Sequence, residues 1–391
     1  MDIDQAGSRP TGQPPLAGGL RPGPLPGLIL PSYGGACLEG LAPALMAAPG
    51  ARPPWLPSHL RTAEQVVLLV LDGLGWLQLQ ERKALAAVLG SFEGGPMTTV
   101  APSTTATALS SLALGMPPAL HGIVGYKFVV SGPTGEEVLN VLRWSTSSGD
   151  ARGFARPAEL QPALAFGGRA VPVVSRGDFA GSGFTQAHQR GAREVGWTVP
   201  SSVPVLVRGL VDEGEQFVYA YYDGIDKVAH AAGFGPLYDA EVAAADRLVG
   251  DLLSALPERV ALAVTADHGQ VLVGTRAAPV VPEVAALCKF MSGEGRFRWL
   301  HALPGRVGEL LEAARGAYGG RAWVASRQDV LAAGVLGGEP SVTVLARLGD
   351  VALVPLGEEG FLDPRDPGDA RLVCRHGGLS PGEMLVPLLC S

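Results

Sequence analysis

The clearest pattern in the chain is an unbroken aliphatic run over residues 66–71, Val-Val-Leu-Leu-Val-Leu. Comparable runs cover residues 216–222, 259–265 and 384–389. Because apolar residues fill successive positions rather than alternate ones, each run is typical of a strand covered on both faces in a parallel sheet. Helix-like segments are predicted at residues 38–48, 240–256 and 306–318. Strands alternating with helices predict an α/β fold, a doubly wound, mostly parallel sheet flanked by helices.

The remaining segments set the predicted domain boundaries. Residues 1–27 are rich in Pro and Gly and lack apolar periodicity, which predicts a flexible leader. Residues 28–391 are predicted to form one large domain. Two loop-rich stretches break its strand and helix pattern, at about 127–200 and 271–345, and we interpret them as insertions, the first as an inserted lobe.

The composition and charge of the chain limit which binding partners and which cellular location are expected. Apolar residues make up 47% of the chain and charged residues 17%, with a net charge of −7. Since no basic stripe is present, duplex nucleic acid is not an expected partner. The chain lacks an apolar run of the roughly 18–20 residues that a membrane span needs, and it lacks a signal-peptide pattern. Four scattered cysteines indicate free thiols, and we therefore expect a cytoplasmic protein.

Asp and His side chains, which are common metal ligands in proteins, follow the aliphatic runs. Ligands of open α/β sheets bind beyond the carboxyl ends of the strands. Six such side chains lie after the first three runs or just ahead of the fourth: Asp72, Asp226, His230, Asp267, His268 and His376. Individually, the aspartates are compatible with turn or cap residues and the histidines with surface or loop positions. Together, three Asp and three His at four strand ends favour a site for two zinc-like divalent ions.

A hydroxyl-rich stretch over residues 97–111 supplies candidate nucleophiles. It leads through Pro102 into an apolar, helix-like segment that ends at Gly115. The start of a helix favours negative charge, and coordination to a metal lowers the pKa of a hydroxyl. From these residues alone, a simple Ser/Thr helix cap remains an alternative.

The order of these motifs resembles the alkaline phosphatase superfamily, and within it the type I phosphodiesterase/nucleotide pyrophosphatase branch. The resemblance covers about residues 62–390 and rests on five motifs. These are Asp72-Gly, Pro102-Ser-Thr-Thr105 with Gly115 and His121-Gly-Ile-Val124, Asp226 to His230 followed by Gly235-Pro236, Asp267-His-Gly269, and His376-Gly. In that branch the nucleophile is a Thr three residues after a Pro and ten before a Gly. This spacing selects Thr105 over Ser103, Thr104 and Thr107.

The resemblance implies an alkaline phosphatase-like core and a ligand set for two divalent metal ions, Zn²⁺ first and Mn²⁺ as the alternative. One ion is assigned to Asp226, His230 and His376. The other is assigned to Asp72, Asp267 and His268, with Thr105 bridging toward it. The implied mechanism is in-line attack of Thr105 on phosphorus, which gives a phosphothreonine that water activated by the other metal then hydrolyses.

The sequence departs from the branch at one position. Where many of its diesterases place an Asn after His-Gly-Ile-Val, this chain has Tyr126, followed by Lys127. We take Tyr126 as the candidate group for a phosphoryl oxygen. The alternatives are a packing aromatic at this position or added charge from Lys127. The sulfatase nucleophile motif is absent, and the segment 376–387 resembles PglZ-like members of the superfamily.

The expected function is hydrolysis of phosphodiester or nucleotide pyrophosphate bonds in a small-molecule phosphate ester or nucleotide. The same site would also suit a phosphomonoesterase or a phosphonate hydrolase. A catalytically silent metal-binding relative is the third alternative. Nothing in the sequence indicates an oligomeric state.

Overall fold

The aliphatic runs form the centre of a seven-stranded sheet. A computed structural model describes residues 20–366 and 370–391 of the chain. The strands of the sheet, in chain order, are β1 (Gln65–Leu71), β2 (Glu93–Thr98), β3 (Pro172–Arg176), β4 (Arg193–Trp197), β5 (Phe217–Tyr222), β6 (Val260–Thr265) and β7 (Leu385–Cys390). Their order across the sheet is β4-β3-β5-β1-β6-β7-β2.

Strand direction brings four strand ends to one edge. Strands β4, β3, β5, β1 and β6 pair in parallel, so that their carboxyl ends share an edge. Strand β7 is antiparallel to both β6 and β2, and it therefore begins at the edge where β6 ends. The predicted fold class, a doubly wound and mostly parallel sheet flanked by helices, is confirmed.

Four helices bear on the candidate site or cover the sheet. They are α1 (Leu38–Met46), α2 (Thr105–Leu114), α3 (Gly224–Ala232) and α4 (Pro236–Ala255). Helix α2 is buried along its whole length, packs on α1, and ends at Gly115, which has the left-handed conformation (φ 66°) that glycine adopts without strain. Helices α1 and α4 confirm two of the predicted segments, and Val307–Tyr318 confirms the third.

The two predicted insertions contain more regular structure than their polar sequences suggest. Residues 127–150 form a small antiparallel sheet, which we call the hairpin lobe, whereas residues 172–197 supply β3 and β4 to one edge of the central sheet. These two strands carry residues such as Pro, Ser and Arg instead of a continuous aliphatic run. Within 271–345, residues 288–302 and 322–326 join Val351–Pro355 in a four-stranded antiparallel sheet. The domain boundaries drawn from the sequence stay a prediction.

Shorter elements complete the described chain. The additional helices are Ser58–Thr62, Trp76–Glu81, Ala87–Ser91, Pro118–His121, Pro157–Leu160, Gly183–His188, Val203–Asp212, Pro282–Ala285, Arg327–Ala332, Val342–Leu345 and Pro381–Met384. The additional strands are Arg21–Pro22, Ile29–Leu30, Lys127–Gly132, Gly135–Asn140, Ser145–Thr146, Gly149–Asp150, Val271–Leu272, Ala277–Pro279, Cys288–Glu294, Phe297–Ala302, Ala322–Ser326, Val351–Pro355, Gly360–Leu362 and Cys374–Arg375.

The amino-terminal segment is described only in part. Residues 1–19 of the predicted flexible leader lie outside the described residues. Arg21–Pro22 pairs with Ile29–Leu30, and the Ile29 amide donates to the Leu379 carbonyl. Of the helices in the described part of the chain, none is both long and apolar enough to cross a bilayer.

A buried ion pair connects the second antiparallel sheet to the short helix that precedes β7, Pro381–Met384. Arg296 donates from Nε and Nη2 to the two carboxylate oxygens of Glu383, at 2.9 and 2.7 Å, and both side chains are fully buried. Glu383 also accepts from the Gly378 amide and the Ser380 hydroxyl. Burial by itself would raise the pKa of Glu383, but Arg296 and these hydrogen bonds lower it below its ordinary value of 4.5.

Replacing Glu383 by Gln should lower the free energy of unfolding by about 3–5 kcal/mol, because it leaves the Arg296 guanidinium buried without an opposite charge. Since the folded pKa of Glu383 is lowered, its contribution is complete above pH 4.5 and is lost as the pH falls through the lowered pKa. Denaturant unfolding at pH 7 and pH 4 measures both effects.

The matched control is Glu309→Gln, which removes the exposed Arg306 pair. This change should leave the free energy of unfolding nearly unchanged, because exposed ion pairs contribute little. Equal effects of the two substitutions would contradict a stabilising role for the buried pair.

Candidate active site

Three of the six predicted ligands form a fully buried cluster at the carboxyl edge of the sheet. Asp72 follows β1, and Asp267 and His268 follow β6, the strand beside it. His268 Nε2 lies 3.5 Å from Asp72 Oδ1 and 3.4 Å from Asp267 Oδ2. The three side chains present ligand atoms that all lie within 4.8 Å of one another, which is the spacing that a shared cation requires.

The other three predicted ligands lie beside this cluster. Asp226 is in the first turn of α3 and His230 is in its last, and the two side chains lie on one face of that helix. His230 Nε2 is 3.4 Å and His376 Nε2 is 3.9 Å from Asp226 Oδ1. His268 stacks on His376 with ring centroids 3.7 Å apart, so that Asp226, His268 and His376 form a second group within 4.8 Å. The structure therefore brings all six residues together, with His268 between the two groups.

Two buried carboxylate oxygens in this site accept no hydrogen bond from the described residues: Asp72 Oδ1 and Asp267 Oδ2. Burial raises the pKa of Asp72 well above its ordinary value, and the charges of Asp267 and Asp226 raise it further. Burial also raises the pKa of Asp267, although His268 opposes that shift. Unpaired carboxylate oxygens facing an imidazole nitrogen are a donor set that fits a divalent cation.

The backbone orients all three histidines. The Nδ1 atoms of His230, His268 and His376 lie 2.8, 3.1 and 3.1 Å from the carbonyl oxygens of Cys374, Gly269 and Ser103. Because a carbonyl only accepts, each Nδ1 carries the hydrogen and each Nε2 presents its lone pair to the site. Burial, followed by the charges of His268 and His230, lowers the pKa of His376 well below 6.5, which favours the neutral ligand form.

Glycine permits the close approach of β1 to α3. Gly73 has a φ of 75°, and a Cβ there would lie 3.0 Å from the Asp226 backbone and 2.6 Å from the Gln270 amide. Its own amide donates to Asp267 Oδ1 over 3.1 Å. Any larger residue would separate Asp72 from Asp226, so the Asp-Gly motif is a packing requirement of the site.

Thr105 is the hydroxyl that contacts the predicted ligands. It is the first residue of α2, and its Oγ1 lies 3.0 Å from His268 Nε2. Ser103 instead donates to the Gly378 carbonyl over 2.7 Å, and Thr107 is buried. Thr104 and Thr105 both line a cavity of about 220 Å³ that also reaches Asp226, His230 and His376.

Tyr126 lines the same cavity. Its hydroxyl accepts from the Asn140 amide over 2.7 Å. The Lys127 ammonium lies 5.1 Å from the Tyr126 ring centroid and pairs with Asp366, so Lys127 is directed away from the cavity lining. Glu294 and Arg375 complete the polar wall of the cavity.

Several residues at the site were not predicted from the sequence. Tyr221 donates its hydroxyl to Asp72 Oδ2, and Gln270 donates its amide to Asp226 Oδ1 over 2.8 Å. Gln270 directly follows the Asp-His-Gly motif, and this adjacency was a usable signal. Tyr221 lies inside an aliphatic and aromatic run, and Glu294 and Arg375 lie far from the motifs in sequence, so no comparable signal marked them.

The chain was compared with known proteins by sequence and by structure. A sequence model of the type I phosphodiesterase/nucleotide pyrophosphatase family matches residues 66–278, more than half of the chain. No curated protein matches the chain by sequence.

Solved structures show the same fold. Murine ectonucleotide pyrophosphatase/phosphodiesterase 5 superposes with a TM-score of 0.64 at 14% identity, over 83% of this chain and 87% of that one. An inactive variant of that murine protein in complex with AMP gives 0.63, with the same identity and coverage. Phosphonoacetate hydrolase from Sinorhizobium meliloti, in complex with phosphonoformate, gives 0.59 at 18% identity, over 88% and 92% of the two chains.

The family match spans β1, the start of α2, β5, α3 and β6, and so it covers every predicted site residue except His376. His376 lies beside the others, directly after the short strand Cys374–Arg375 and ahead of β7. The chain therefore belongs to the type I phosphodiesterase/nucleotide pyrophosphatase family of the alkaline phosphatase superfamily, and it is a hydrolase of phosphoric ester bonds.

Proposed function

We propose that this protein hydrolyses phosphodiester or nucleotide pyrophosphate bonds through a phosphothreonine intermediate on Thr105. The observation that carries the proposal is the position of Thr105 Oγ1, 3.0 Å from His268 Nε2 at the edge of the buried Asp72, Asp267 and His268 cluster. A hydroxyl at the start of a helix and beside a cation site is suited to attack phosphorus as an alkoxide.

The residues present fit two divalent cations, Zn²⁺ first and Mn²⁺ as the alternative. Asp72, Asp267 and His268 would hold one. Asp226, His230 and His376 would hold the other, an assignment that the 3.4 Å contact between His230 and Asp226 supports. When bound, the cations supply Lewis-acid stabilisation of the charge that develops on the attacking and leaving oxygens.

The chain's own residues carry the covalent chemistry. The Oγ1–P bond to Thr105 forms as the P–O bond to the leaving group breaks on the opposite side, and water then cleaves the phosphothreonine and restores the hydroxyl. The start of α2 directs backbone amides toward the phosphoryl group. Tyr126, which lines the cavity with Thr105, is our candidate for the group that contacts a phosphoryl oxygen, at the position of the family's asparagine.

Space around the site supports a diester substrate. Tyr126 and Leu372 line the 220 Å³ cavity, and they also line an adjoining cleft of about 690 Å³ under the hairpin lobe. A monoester would fill only the first cavity, whereas the second esterified group of a diester can extend past Tyr126 into the cleft.

We also propose a cytoplasmic location, which the four free, buried cysteines support.

Replacing Thr105 by Ala should lower kcat on a diester at least about a thousandfold, because the nucleophile is lost. Metal content, measured by inductively coupled plasma mass spectrometry, should stay at the wild-type level. Thr107→Ala makes the same change two residues along the helix and should retain activity. Full activity in the Thr105 variant would refute the nucleophile assignment.

Substrate preference separates the diester proposal from its alternatives. The purified enzyme should cleave bis(4-nitrophenyl) phosphate with a higher kcat/KM than 4-nitrophenyl phosphate, and chelation should abolish both activities. The reverse preference, or turnover of phosphonoacetate alone, would support a monoesterase or phosphonate hydrolase. If none of the three compounds is cleaved although the protein binds metal, the chain is the catalytically silent metal-binding relative.

Metal binding should stabilise the fold. At a free Zn²⁺ concentration of about one hundred times Kd, the free energy of unfolding should rise by roughly 2.7 kcal/mol. Asp72→Asn should remove most of this gain but raise the melting temperature of the metal-free protein, because it deletes one of the buried like charges. Thermal unfolding with and without chelator measures both, and equal zinc stabilisation of variant and wild type would exclude Asp72 as a ligand.

A further inference from the structure

The side chain of Tyr221 lies beside Asp72 across two neighbouring strands. The Tyr221 backbone pairs with Val70 of β1, and the Asp72 amide donates to the Tyr222 carbonyl just past that pair. The Tyr221 side chain is buried, and its hydroxyl donates to Asp72 Oδ2. The parallel pairing of β5 with β1 therefore holds a hydroxyl donor against one oxygen of a predicted metal ligand.

The two oxygens of Asp72 have different surroundings. Oδ2 accepts from Tyr221, whereas Oδ1 is buried, accepts no hydrogen bond from the described residues and lies 3.5 Å from His268 Nε2. Asp267 shows the same division. Its Oδ1 accepts from the backbone amides of Gly73 and His268 over 3.1 and 3.0 Å, and its Oδ2 is buried without such a donor, 3.4 Å from His268 Nε2. Each aspartate thus offers one oxygen to the site, while protein donors occupy the other.

The number of oxygens that a carboxylate offers affects which cation a site prefers. Zn²⁺ usually takes a tetrahedral set of ligands. Mn²⁺ favours an octahedral set of oxygens, and Ca²⁺ takes roughly six to eight oxygens, often both from one carboxylate. A tetrahedral set would be complete with one oxygen from each aspartate, the His268 imidazole and the Thr105 hydroxyl beside it.

We infer that Tyr221 is a positioning residue that limits Asp72 to one metal-binding oxygen and thereby favours Zn²⁺ over Mn²⁺ at this site. The inference rests on the proposed function, because it requires a cation at the cluster of Asp72, Asp267 and His268. The backbone amides that hold Asp267 cannot be removed by substitution. The Tyr221 hydroxyl can be removed as a single atom, so its contribution to metal selectivity is open to measurement.

Tyr221→Phe should weaken Zn²⁺ binding about ten- to a hundredfold, because Asp72 loses the partner that orients it. Mn²⁺ binding should fall less, since the released Oδ2 becomes a further oxygen ligand. The ratio of the Mn²⁺ Kd to the Zn²⁺ Kd should therefore drop at least about tenfold. Both constants are measured on the metal-depleted full chain by competition with a chelator of known affinity, with each metal equivalent fitted separately. An unchanged ratio would overturn the inference even if both affinities fall, because a purely structural role would weaken both ions alike.

Tyr219→Phe is the matched control. Tyr219 lies two residues earlier on the same face of β5 and is also buried, but its hydroxyl has no hydrogen-bond partner among the described residues. This variant should keep the wild-type Zn²⁺ affinity and the wild-type ratio. A drop in the ratio as large as that in Tyr221→Phe would overturn the inference, because any buried hydroxyl on this face would then have the same effect.

A crystal structure of the zinc-loaded wild-type protein tests the same point without a variant, and it decides the matter if Tyr221→Phe does not fold. Asp72 should bind the ion through Oδ1 alone, with Oδ2 still accepting from the Tyr221 hydroxyl. Coordination through both oxygens of Asp72 would overturn the inference.

These measurements need no substrate, so the two proposals fail separately. A protein that binds zinc but cleaves no diester would refute the proposed function, and the ratio would still decide the role of Tyr221. Diester cleavage together with an unchanged ratio would refute the inference alone. A wild-type protein that binds neither Zn²⁺ nor Mn²⁺ would overturn the inference directly.

Discussion

Three carboxylates, those of Asp72, Asp226 and Asp267, converge at one largely buried edge of the sheet, and the design of the site follows from that constraint. Burial and mutual repulsion raise the pKa of Asp72 and burial raises that of Asp267, so their ionised forms are costly without a positive charge. Two of their oxygens accept no hydrogen bond from the described residues. Such an arrangement is stable when a bound cation offsets the negative charge of the carboxylates. The histidine imidazoles on both sides would provide the remaining ligand atoms.

The strand order makes this convergence possible. Strands β5, β1 and β6 are adjacent and parallel, so the residues that follow them meet, and β7 begins at the same edge because it runs antiparallel. Backbone carbonyls from three separate segments accept hydrogen bonds from the Nδ1 atoms of the three histidines, and these bonds fix the histidine tautomers. The Arg296 and Glu383 pair anchors the segment between His376 and β7 to the second antiparallel sheet. The geometry of the site thus depends on parts of the chain that contribute no ligand.

The sequence predicted the central strands and all six ligand candidates, because a doubly covered parallel sheet leaves unbroken aliphatic runs and places polar residues at their ends. It did not predict β3 and β4, since these short strands contain polar or charged residues and Pro172 and so lack an unbroken aliphatic run. The resemblance assigned His268 to one ligand group, and the structure adds that its ring stacks on His376 of the other group. Stacking of this kind depends on side-chain packing between distant segments, which spacing along a chain does not encode.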